Sequence, residues 1–405
     1  MDQPDRPETD TQSARRLWLA PDWTRPETWL GALARYIAHA PADGSTCLCL
    51  EIGTADATLA TDLVAIACET LAHAREFAEV LLVAEAVDHR GVVRVHSSAD
   101  VLAALGVQAP PLAQDAEQIV ERARRGKALA DELRTIADHH AMTLGGDPWL
   151  DPAPLVTVQI ATWKRRERLV ARTLPSVLEG TYRNVEVLVC SDGPDPGARA
   201  TVEQIAARDA RVRYLELPER PNHPSHPWSS WETAGLHAAN HALDGARGRF
   251  LAPLDHDDEF TATHIADLLA RARGQRADLV HGQALCEQRS GPPQVVGRAR
   301  LSPGQVCHGA VLYSDRLAHM RYDTACWLLE EPGDWNLWRR MEQLGAGIAH
   351  LDRVVLLHAA GDDDTARFDT ARTAADLARD VLGTDAAWYL DIEFADGDGH
   401  GEARA

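Results

Sequence analysis

Residues 249–260 read Arg249-Phe-Leu-Ala-Pro-Leu-Asp-His-Asp-Asp-Glu-Phe260, an apolar run followed by a cluster of acidic residues. The run from 250 to 254 is typical of a short buried strand. Asp255, Asp257 and Asp258 follow it within four positions, where like charges repel one another and are poorly solvated. A divalent cation would remove that cost, and carboxylate oxygens favour Mg²⁺, Mn²⁺ or Ca²⁺ over softer metals. Taken alone, such a pattern is more often an acidic turn, but the buried strand before it and the motifs on either side favour a metal site.

Length and composition describe a globular protein with room for two domains. The chain has 405 residues, of which 45% are hydrophobic and 25% charged, and these values are ordinary for such proteins. Its formal net charge of −20 argues against nucleic acid or an anionic membrane as a general partner. The polar, acidic start does not read as a signal peptide, and no apolar run reaches the length of a transmembrane segment. Seven scattered cysteines, without zinc or disulfide spacing, favour a reducing cytoplasm.

Shifts in pattern along the chain predict two α/β domains joined by helices. Residues 1–15 are predicted to be disordered, and 16–110 to form a small α/β domain. The run Asp147-Pro-Trp-Leu-Asp-Pro-Ala-Pro154 has three prolines in eight positions and is predicted to be a linker. The small domain is predicted to have strands near 45–52, 80–84 and 92–96. The divisions predicted after it are a helical connector with the linker at 111–153, a second α/β domain at 154–360, and a C-terminal helix and tail at 361–405.

Polar side chains follow three predicted strands of the second domain. Thr162 comes just after the β-branched strand at 155–160, and Asp192 comes after the apolar strand at 182–190. The order of strand, turn, helix and strand is that of a parallel sheet, in which ligands bind beyond the carboxyl ends of the strands. Together with Asp255, these residues favour one shared site at that edge.

The span 154–360 resembles a family 2 glycosyltransferase with the GT-A fold. The segment 156–165, Val-Thr-Val-Gln-Ile-Ala-Thr-Trp-Lys-Arg, is similar to the opening strand and the Pro-Thr-Tyr-Asn-Arg turn of that family. The segment 187–193, Val-Leu-Val-Cys-Ser-Asp-Gly, resembles its Val-Asp-Asp-Gly segment, and 174–182 matches the helix and turn before it. Residues 248–258 then match its metal motif. The resemblance implies a GT-A type, Rossmann-like sheet that is mixed, mostly parallel and flanked by helices.

The resemblance also implies which residues bind a nucleotide-diphospho-sugar. Thr162, Trp163 and Asp192 are expected to hold the base and ribose, and a carboxylate suits this role because it accepts from a base N–H or a ribose hydroxyl. On local pattern alone, Asp192 is equally compatible with a helix cap. Asp255 is expected near the ribose and the metal. Arg220, in a proline-rich loop, is a candidate phosphate contact.

The expected cofactor is Mn²⁺ or Mg²⁺. By the resemblance, Asp257 binds the metal that bridges the diphosphate, with Asp255 beside it and Asp258 in a secondary position. His358 ends the apolar strand 354–358, where the family often has a histidine that completes the metal site. A histidine at a strand end is also compatible with a plain solvated terminus.

A second acidic cluster supplies the expected catalytic base. The segment 334–339, Asp-Trp-Asn-Leu-Trp-Arg, is similar to the family's Glu-Asp pair followed by an aromatic residue and Leu-Trp-x-Arg. Asp334 aligns with that aspartate, while Gly333 stands where the glutamate is expected, so Glu331 is a second candidate. Trp335 is a candidate contact of the acceptor. Asp334 could also cap the helix that begins after it, which is compatible with catalysis.

These expectations describe a cytoplasmic, metal-dependent, inverting glycosyltransferase. It would move a sugar from a nucleotide-diphospho-sugar to an acceptor hydroxyl. Transfer of a single sugar is expected, because the sequence lacks the Gln-x-x-Arg-Trp box of processive family members. The acceptor could be a glycan, a lipid-linked sugar or a small molecule. A nucleotidyltransferase of similar fold would need a glycine-rich loop after the first strand. A non-catalytic sugar- or partner-binding protein would not need both acidic clusters.

Overall fold

The computed structural model describes residues 15–73, 75–84, 92–109, 115–164, 166–359 and 371–394. The chain divides into two compact units, the first formed by 1–137 with 387–405 and the second by 138–386. The disorder predicted for 1–15 falls outside the described residues, except at Arg15, which begins a strand. Within the described ranges, no helix is long and apolar enough to span a membrane.

The first unit contains a four-stranded parallel sheet. Its strands are β1 (Arg15–Leu19), β2 (Thr46–Glu51), β3 (Glu79–Val83) and β4 (Val92–Arg94). They lie side by side in the order β3-β2-β1-β4. The strands predicted near 45–52, 80–84 and 92–96 are therefore confirmed, whereas β1, with two arginines in five residues, gave no strand signal.

Four helices accompany this sheet in the sequence. The start of the second is fixed by Asp56, whose carboxylate accepts from the backbone N–H groups of Thr58 and Leu59 at 2.8 and 3.1 Å, a cap that satisfies donors at a helix start. The helices are α1 (Leu30–His39), α2 (Ala57–Ala72), α3 (Ser98–Leu105) and α4 (Ala116–Leu144), of which α4 continues into the second unit.

The second unit is built on a nine-stranded mixed sheet in which eight strands lie in the order β7-β6-β5-β8-β12-β10-β13-β9 and β11 pairs with β10. The four strands from β7 to β8 run parallel to one another, and β12 is antiparallel to both of its neighbours. The strands are β5 (Val156–Thr162), β6 (Val185–Ser191), β7 (Val212–Glu216), β8 (Phe250–Asp255), β9 (Glu259–Phe260), β10 (Leu279–Cys286), β11 (Gln294–Val296), β12 (Val311–Ser314) and β13 (Ile348–His358).

In the described part of the second unit, seven α-helices lie in the connections between these strands, and an eighth follows the last strand. A π-helical turn, Leu169–Thr173, joins the first two helices. The helices are α5 (Arg166–Arg168), α6 (Leu174–Leu178), α7 (Pro196–Ala206), α8 (Pro227–Glu232), α9 (Leu236–Asp244), α10 (His264–Gln275), α11 (Gly333–Gln343) and α12 (Ala374–Gly383).

The register of β5 brings three strand ends together. Thr162 lies opposite Ser191 of β6, and Ala161 lies opposite Asp255 of β8. Asp192, directly after β6, donates its backbone N–H to the carbonyl oxygen of Thr162 at 3.0 Å. The polar residues that follow these strands therefore lie at the same edge of the sheet, the edge at which ligands bind in parallel α/β proteins.

Buried apolar residues fill these central strands. Val156, Val158 and Ile160 of β5, and Phe250 and Leu254 of β8, have no solvent exposure. The residues between them in β5 and β8 are buried as well, so both strands are covered on both faces, as is typical of parallel sheets. The predicted fold class is confirmed: a mixed, mostly parallel sheet flanked by helices, in a chain that also contains a smaller α/β unit.

A histidine is buried in the core of the second unit. The His264 ring stacks on Phe260 with ring centroids 3.5 Å apart, and its Nδ1 donates to the carbonyl oxygen of Val355 at 2.9 Å. Burial lowers the pKa of His264 to about 4, because a charged imidazole would lose its hydration there. The folded protein therefore binds a proton at this site much less readily than the unfolded chain does.

We expect His264→Gln to reduce the loss of stability on acidification. Because the pKa of His264 is lower in the folded state, the free energy of unfolding falls as the pH drops from 6.5 towards 4. At pH 5 this group alone would lower the free energy of unfolding by about 2 kcal/mol. Glutamine keeps a hydrogen-bond donor but does not titrate. The difference between the free energies of unfolding at pH 7 and pH 5, measured by urea titration, should therefore shrink. The same change at the exposed His139 should leave that difference unaltered, and an equal effect at both positions would contradict this account.

Candidate active site

Asp255, the last residue of β8, is held by a histidine that the sequence did not single out. His308 begins a short 3₁₀ turn just before β12. Its Nδ1–H donates to Asp255 Oδ1 at 3.0 Å, and its Nε2 lies 2.9 Å from the Tyr322 hydroxyl, within hydrogen-bond distance. The Tyr322 oxygen accepts in turn from the Gln159 side-chain amide at 2.9 Å. This continuous network fixes the orientation of the Asp255 carboxylate.

Three charged groups determine the electrostatics around this network. Burial raises the pKa of Asp255, but His308 outweighs burial and lowers that pKa to about 2. Burial lowers the pKa of His308, but the Asp255 carboxylate outweighs it and raises the pKa. Asp334 also faces His308: burial raises the Asp334 pKa, and the charge of His308 offsets this only in part. The site therefore combines one firmly ionised carboxylate with one of raised proton affinity.

Asp334 lies in the first turn of α11. That helix begins at Gly333 after Pro332, so the expectation that Asp334 caps a helix beginning after it is wrong. Asp334 Oδ1 accepts from the backbone N–H of Trp335 at 2.7 Å. Its second oxygen makes no hydrogen bond with any residue that the structure describes. One carboxylate oxygen is therefore held in place and the other remains open.

The acidic residues near Asp334 have other roles. Gly333 has no room for the glutamate expected at its position, because a Cβ there would overlap the Leu236 side chain. Glu331 forms an ion pair with Arg339, with N-to-O distances of 2.8 and 2.7 Å. It also accepts from the Asn336 side-chain amide at 2.7 Å. Both oxygens of Glu331 are thus occupied, unlike those of Asp334.

The remaining carboxylates after β8 differ in their surroundings. Asp258 is buried: its Oδ2 pairs with His358 Nδ1 at 2.8 Å, and its Oδ1 accepts from the Ala359 N–H at 2.9 Å. The hydrogen bond to Asp258 raises the pKa of His358 to about 9. Asp257 is half-buried and makes no hydrogen bond or ion pair within the described part of the chain. His358 therefore neutralises Asp258, and Asp257 is the open carboxylate of the cluster.

This arrangement fits a cation that the protein shares with a phosphate group. Among the described residues, no three His, Cys, Asp or Glu side chains are placed to hold a metal by themselves. Mg²⁺ is commonly bound by one or two carboxylates together with substrate phosphates and water. Asp255 and Asp257 could supply those carboxylates. His358 was expected to be a further ligand, and in the structure its Nδ1 is engaged by Asp258.

Asp192 is buried and paired with another histidine. Its Oδ2 accepts from His223 Nε2 at 2.6 Å. Asp192 Oδ1 and Thr162 Oγ1 are both buried and have no hydrogen-bond partner among the described residues. The interpretation of Asp192 as a helix cap is wrong, because Asp195 caps α7. Since buried polar atoms are nearly always hydrogen-bonded, these two oxygens are available to water or to a ligand.

Trp163 follows Thr162 and carries two cations on its ring. Lys164 Nζ lies 4.9 Å and Arg220 Cζ 4.8 Å from the ring centroid. Arg220 Nε also lies 3.7 Å from Asp192 Oδ2. Lys164 has a left-handed backbone, with φ of 55°, a strained conformation that clusters at functional turns. The predicted phosphate contact Arg220 thus lies against two of the predicted base-binding residues.

The loop 218–226, which carries Arg220, is fastened by the last helix of the second unit. Asp380 of α12 is buried and accepts from the backbone N–H and the hydroxyl of Ser225, both at 2.6 Å. Arg372, just before α12, pairs with the buried Glu232 of α8 at 2.7 Å. These contacts connect the C-terminal helix to the loop beside Asp192.

Three residues of the site carry no signal in the sequence. His308 is 53 residues from Asp255, and His223 is 31 residues from Asp192. Tyr322 joins the network from a loop 14 residues beyond His308. A buried carboxylate requires a partner, so the sequence indicates that counter-charges exist. It does not indicate which distant residue supplies each one.

Residues 157–225 match the family model of Glycosyl transferase family 2. The matched segment runs from β5 through β7 into the loop that carries Arg220, and it includes Thr162, Trp163 and Asp192. This match confirms the predicted resemblance to that family over these residues.

Curated relatives are similar over a limited length. Glycosyltransferase GlyA of Streptococcus pneumoniae is 26% identical over 117 residues, which are 29% of this chain and 15% of that protein. The UDP-Glc:alpha-D-GlcNAc-diphosphoundecaprenol beta-1,3-glucosyltransferase WfaP of Escherichia coli is 25% identical over 158 residues, 39% of this chain and 55% of that protein. The chain thus spans about half or less of the length of these two relatives.

Two solved structures align with part of the chain. Staphylococcus aureus TarS 1–349 in complex with UDP-GlcNAc aligns with a TM-score of 0.40 and 14% identity, covering 57% of this chain and 67% of that one. The mannosyltransferase PcManGT from Pyrobaculum calidifontis, in complex with GDP-Man and Mn²⁺, aligns with a TM-score of 0.40 and 16% identity, covering 69% and 84%.

Gly333→Ala tests the account of the missing glutamate. The added Cβ would overlap the Leu236 side chain, and such overpacking typically costs about 1–3 kcal/mol of unfolding free energy. Leu236→Ala opens the space, so the double variant should be more stable than the sum of the two single changes predicts. Urea titration of the four proteins measures this coupling. Strict additivity of the two changes would show that the contact does not exclude a side chain at position 333.

Proposed function

We propose that the chain is a metal-dependent, inverting glycosyltransferase that moves a single sugar from a nucleotide-diphospho-sugar to an acceptor hydroxyl. The supporting observation is the pair of carboxylates that face His308, with the pKa of Asp255 lowered and that of Asp334 raised. Such a difference separates two tasks, since one carboxylate stays ionised while the other accepts a proton. The relatives named as glycosyltransferases, one of them named for UDP-Glc, support the same reaction class.

The donor would lie across the sheet edge in the order of the strands. Asp192 and Thr162 each present a buried oxygen without a partner among the described residues, and a base and a ribose supply N–H and hydroxyl donors. Trp163 supplies an aromatic face for the base. Because β5 lies between β6 and β8, a diphosphate attached to that ribose would extend towards Asp255 and Asp257.

Asp255 and Asp257 would hold the cofactor, Mn²⁺ or Mg²⁺, together with the diphosphate. When bound, the cation neutralises the charge that develops on the departing nucleoside diphosphate. His308 keeps Asp255 ionised and oriented through its hydrogen bond of 3.0 Å. His358 keeps the buried Asp258 paired, so that carboxylate adds little repulsion to the diphosphate.

Asp334 would act as the base. Its open oxygen takes the proton from the acceptor hydroxyl as the hydroxyl oxygen attacks the anomeric carbon. The bond between that carbon and the diphosphate oxygen breaks, the nucleoside diphosphate leaves with the electron pair, and the configuration inverts. The raised pKa of Asp334 makes it a stronger base, and such proton transfer is typically worth about 10²–10⁴-fold. Trp335, the next residue, would flank the acceptor, and Glu331 would hold the helix through Arg339.

We place this reaction in the cytoplasm. All seven cysteines are free thiols, which fits a reducing compartment. A single transfer for each binding event is proposed because the sequence after α11 lacks a Gln-x-x-Arg-Trp box.

Asp334→Asn should abolish sugar transfer and leave donor binding nearly intact. Asparagine keeps the shape of the side chain but not the basic oxygen, so turnover should fall by about 10²–10⁴-fold without a matching change in donor affinity. The assay follows release of UDP or GDP from a panel of UDP- and GDP-sugars with Mn²⁺. Glu331→Gln is the control, and it should retain turnover. If only Glu331→Gln inactivates the enzyme, the base is the glutamate; if the wild-type protein turns over no nucleotide sugar, the proposed function is wrong.

Asp257→Ala should uncouple metal from nucleotide. In the wild-type protein, Mn²⁺ should tighten UDP or GDP binding, by about 5–150-fold if the coupling is of ordinary size, because the two share a site. Calorimetric titration of the variant should give the metal-free affinity whether or not Mn²⁺ is present. The exposed Asp62→Ala, in the other unit, controls for loss of one negative charge. An undiminished Mn²⁺ effect in Asp257→Ala would remove this residue from the metal site.

A further inference from the structure

An arginine lies beside the strand ends that carry two unpaired oxygens. Asp192 Oδ1 and Thr162 Oγ1 are buried and lack partners in the described residues, a condition that costs free energy unless a ligand or water satisfies it. Arg220 lies against the turn after Asp192: its Cα is 3.2 Å and its Cβ is 3.0 Å from the place where a Cβ on Gly193 would stand. The arginine backbone therefore packs closely on the turn that follows Asp192.

The Arg220 guanidinium makes two contacts there. Its Cζ lies 4.8 Å from the centroid of the Trp163 ring, and its Nε lies 3.7 Å from Asp192 Oδ2. A guanidinium is planar, carries N–H donors around its edge and stacks on aromatic faces. A nucleobase also has a flat face that stacks on aromatic side chains and edge N–H groups that a carboxylate accepts. Arg220 thus presents to Trp163 and Asp192 the same chemical features as a base.

From this correspondence we infer that Arg220 occupies the place of the nucleobase in the empty site and must leave it when the donor binds. The inference rests on the proposed function and assigns Arg220 a role opposite to that of an ordinary ligand contact. In the wild-type protein, the free energy needed to displace the arginine offsets part of the favourable binding free energy of the base. Removing the Arg220 side chain should therefore strengthen nucleotide binding.

The contacts of Arg220 are of a kind that a ligand can displace. Its side chain is 50% exposed, and the distance to Asp192 exceeds that of a hydrogen bond. His223, by contrast, is 11% exposed and lies 2.6 Å from the same Asp192 oxygen. When Arg220 leaves, His223 still holds the carboxylate in place, and Oδ1 becomes available to a base N–H. The buried pair is thus the fixed part of the subsite and Arg220 the exchangeable part.

Calorimetric titration with uridine, UDP, guanosine and GDP tests this inference on the wild-type chain and on Arg220→Ala. The nucleosides isolate the base subsite, because they carry no phosphate for a cation or for Lys164 to bind. An exposed cation–π contact and an exposed ion pair of this kind are each weak. Their loss from the empty state predicts that Arg220→Ala binds its preferred nucleoside about twofold to thirtyfold more tightly.

Arg276→Ala is the matched control. Arg276 also lies over a tryptophan, with its Cζ 5.3 Å from the Trp149 ring centroid, and pairs with an aspartate, Asp147. Arg276 comes just before β10. Strand β12 lies between β10 and β8 and is antiparallel to both, so β10 and β8 run in the same direction. Arg276, before the start of β10, therefore lies at the opposite edge of the sheet from Asp255, which ends β8. This variant should leave all four affinities unchanged. Arg220→Gln, which removes the charge but keeps a polar side chain, should also tighten nucleoside binding.

The outcomes distinguish the exchange of arginine for base from other roles of Arg220. Tighter nucleoside binding by both Arg220 variants supports the exchange of arginine for base. Weaker or unchanged binding overturns it, since a residue that clasps the bound base would lose affinity on truncation and a bystander would change nothing. If the wild-type protein and the variants bind none of the four compounds, the proposed function itself fails. Wild-type binding without any gain in the variants refutes only the exchange.

Discussion

The parallel pairing of β6, β5 and β8 is the constraint on which the site depends. Because these strands are buried on both faces, their register is strongly specified. A slip of one residue would turn every side chain of the shifted strand to the other face of the sheet. Asp255, which lies opposite Ala161, would then point away from the network of His308. The position of the first carboxylate therefore follows from the packing of apolar residues several positions earlier.

Carboxylates at one edge of a sheet repel one another, and here each of three is paired with a histidine. Asp255 pairs with His308, Asp258 with His358 and Asp192 with His223. A histidine partner gives a hydrogen bond in either protonation state, and the carboxylates raise the pKa values of His308 and His358, which favours the charged ring in these two pairs. The pairs therefore hold the acidic side chains in place and leave Asp257 and one oxygen of Asp334 without a partner in the described residues.

The sequence was sufficient to predict the elements with strong local signals. The apolar strands β5, β6 and β8, their parallel order and the polar residues at their ends follow from patterns a few residues long. The histidine partners could not be predicted, because they pair over 31 to 100 residues. The role of Asp192 was ambiguous for the same reason: a cap for α7 was expected nearby, and Asp195, three residues later, supplies it. Local patterns thus located the acidic groups, and only tertiary contacts show what neutralises them.

The arrangement is incomplete by itself, and this has a thermodynamic consequence. Within the described chain no three side chains are placed to hold a metal, and two buried oxygens at the proposed base subsite lack partners. A cation would find too few ligands without a diphosphate, and without a cation a diphosphate would meet the carboxylate of Asp257, which has no partner among the described residues. Each ligand therefore supplies what the other lacks. By linkage, the metal strengthens nucleotide binding by the same factor as the nucleotide strengthens metal binding. The acidic edge should therefore bind nucleotide and metal together more tightly than it binds either one alone.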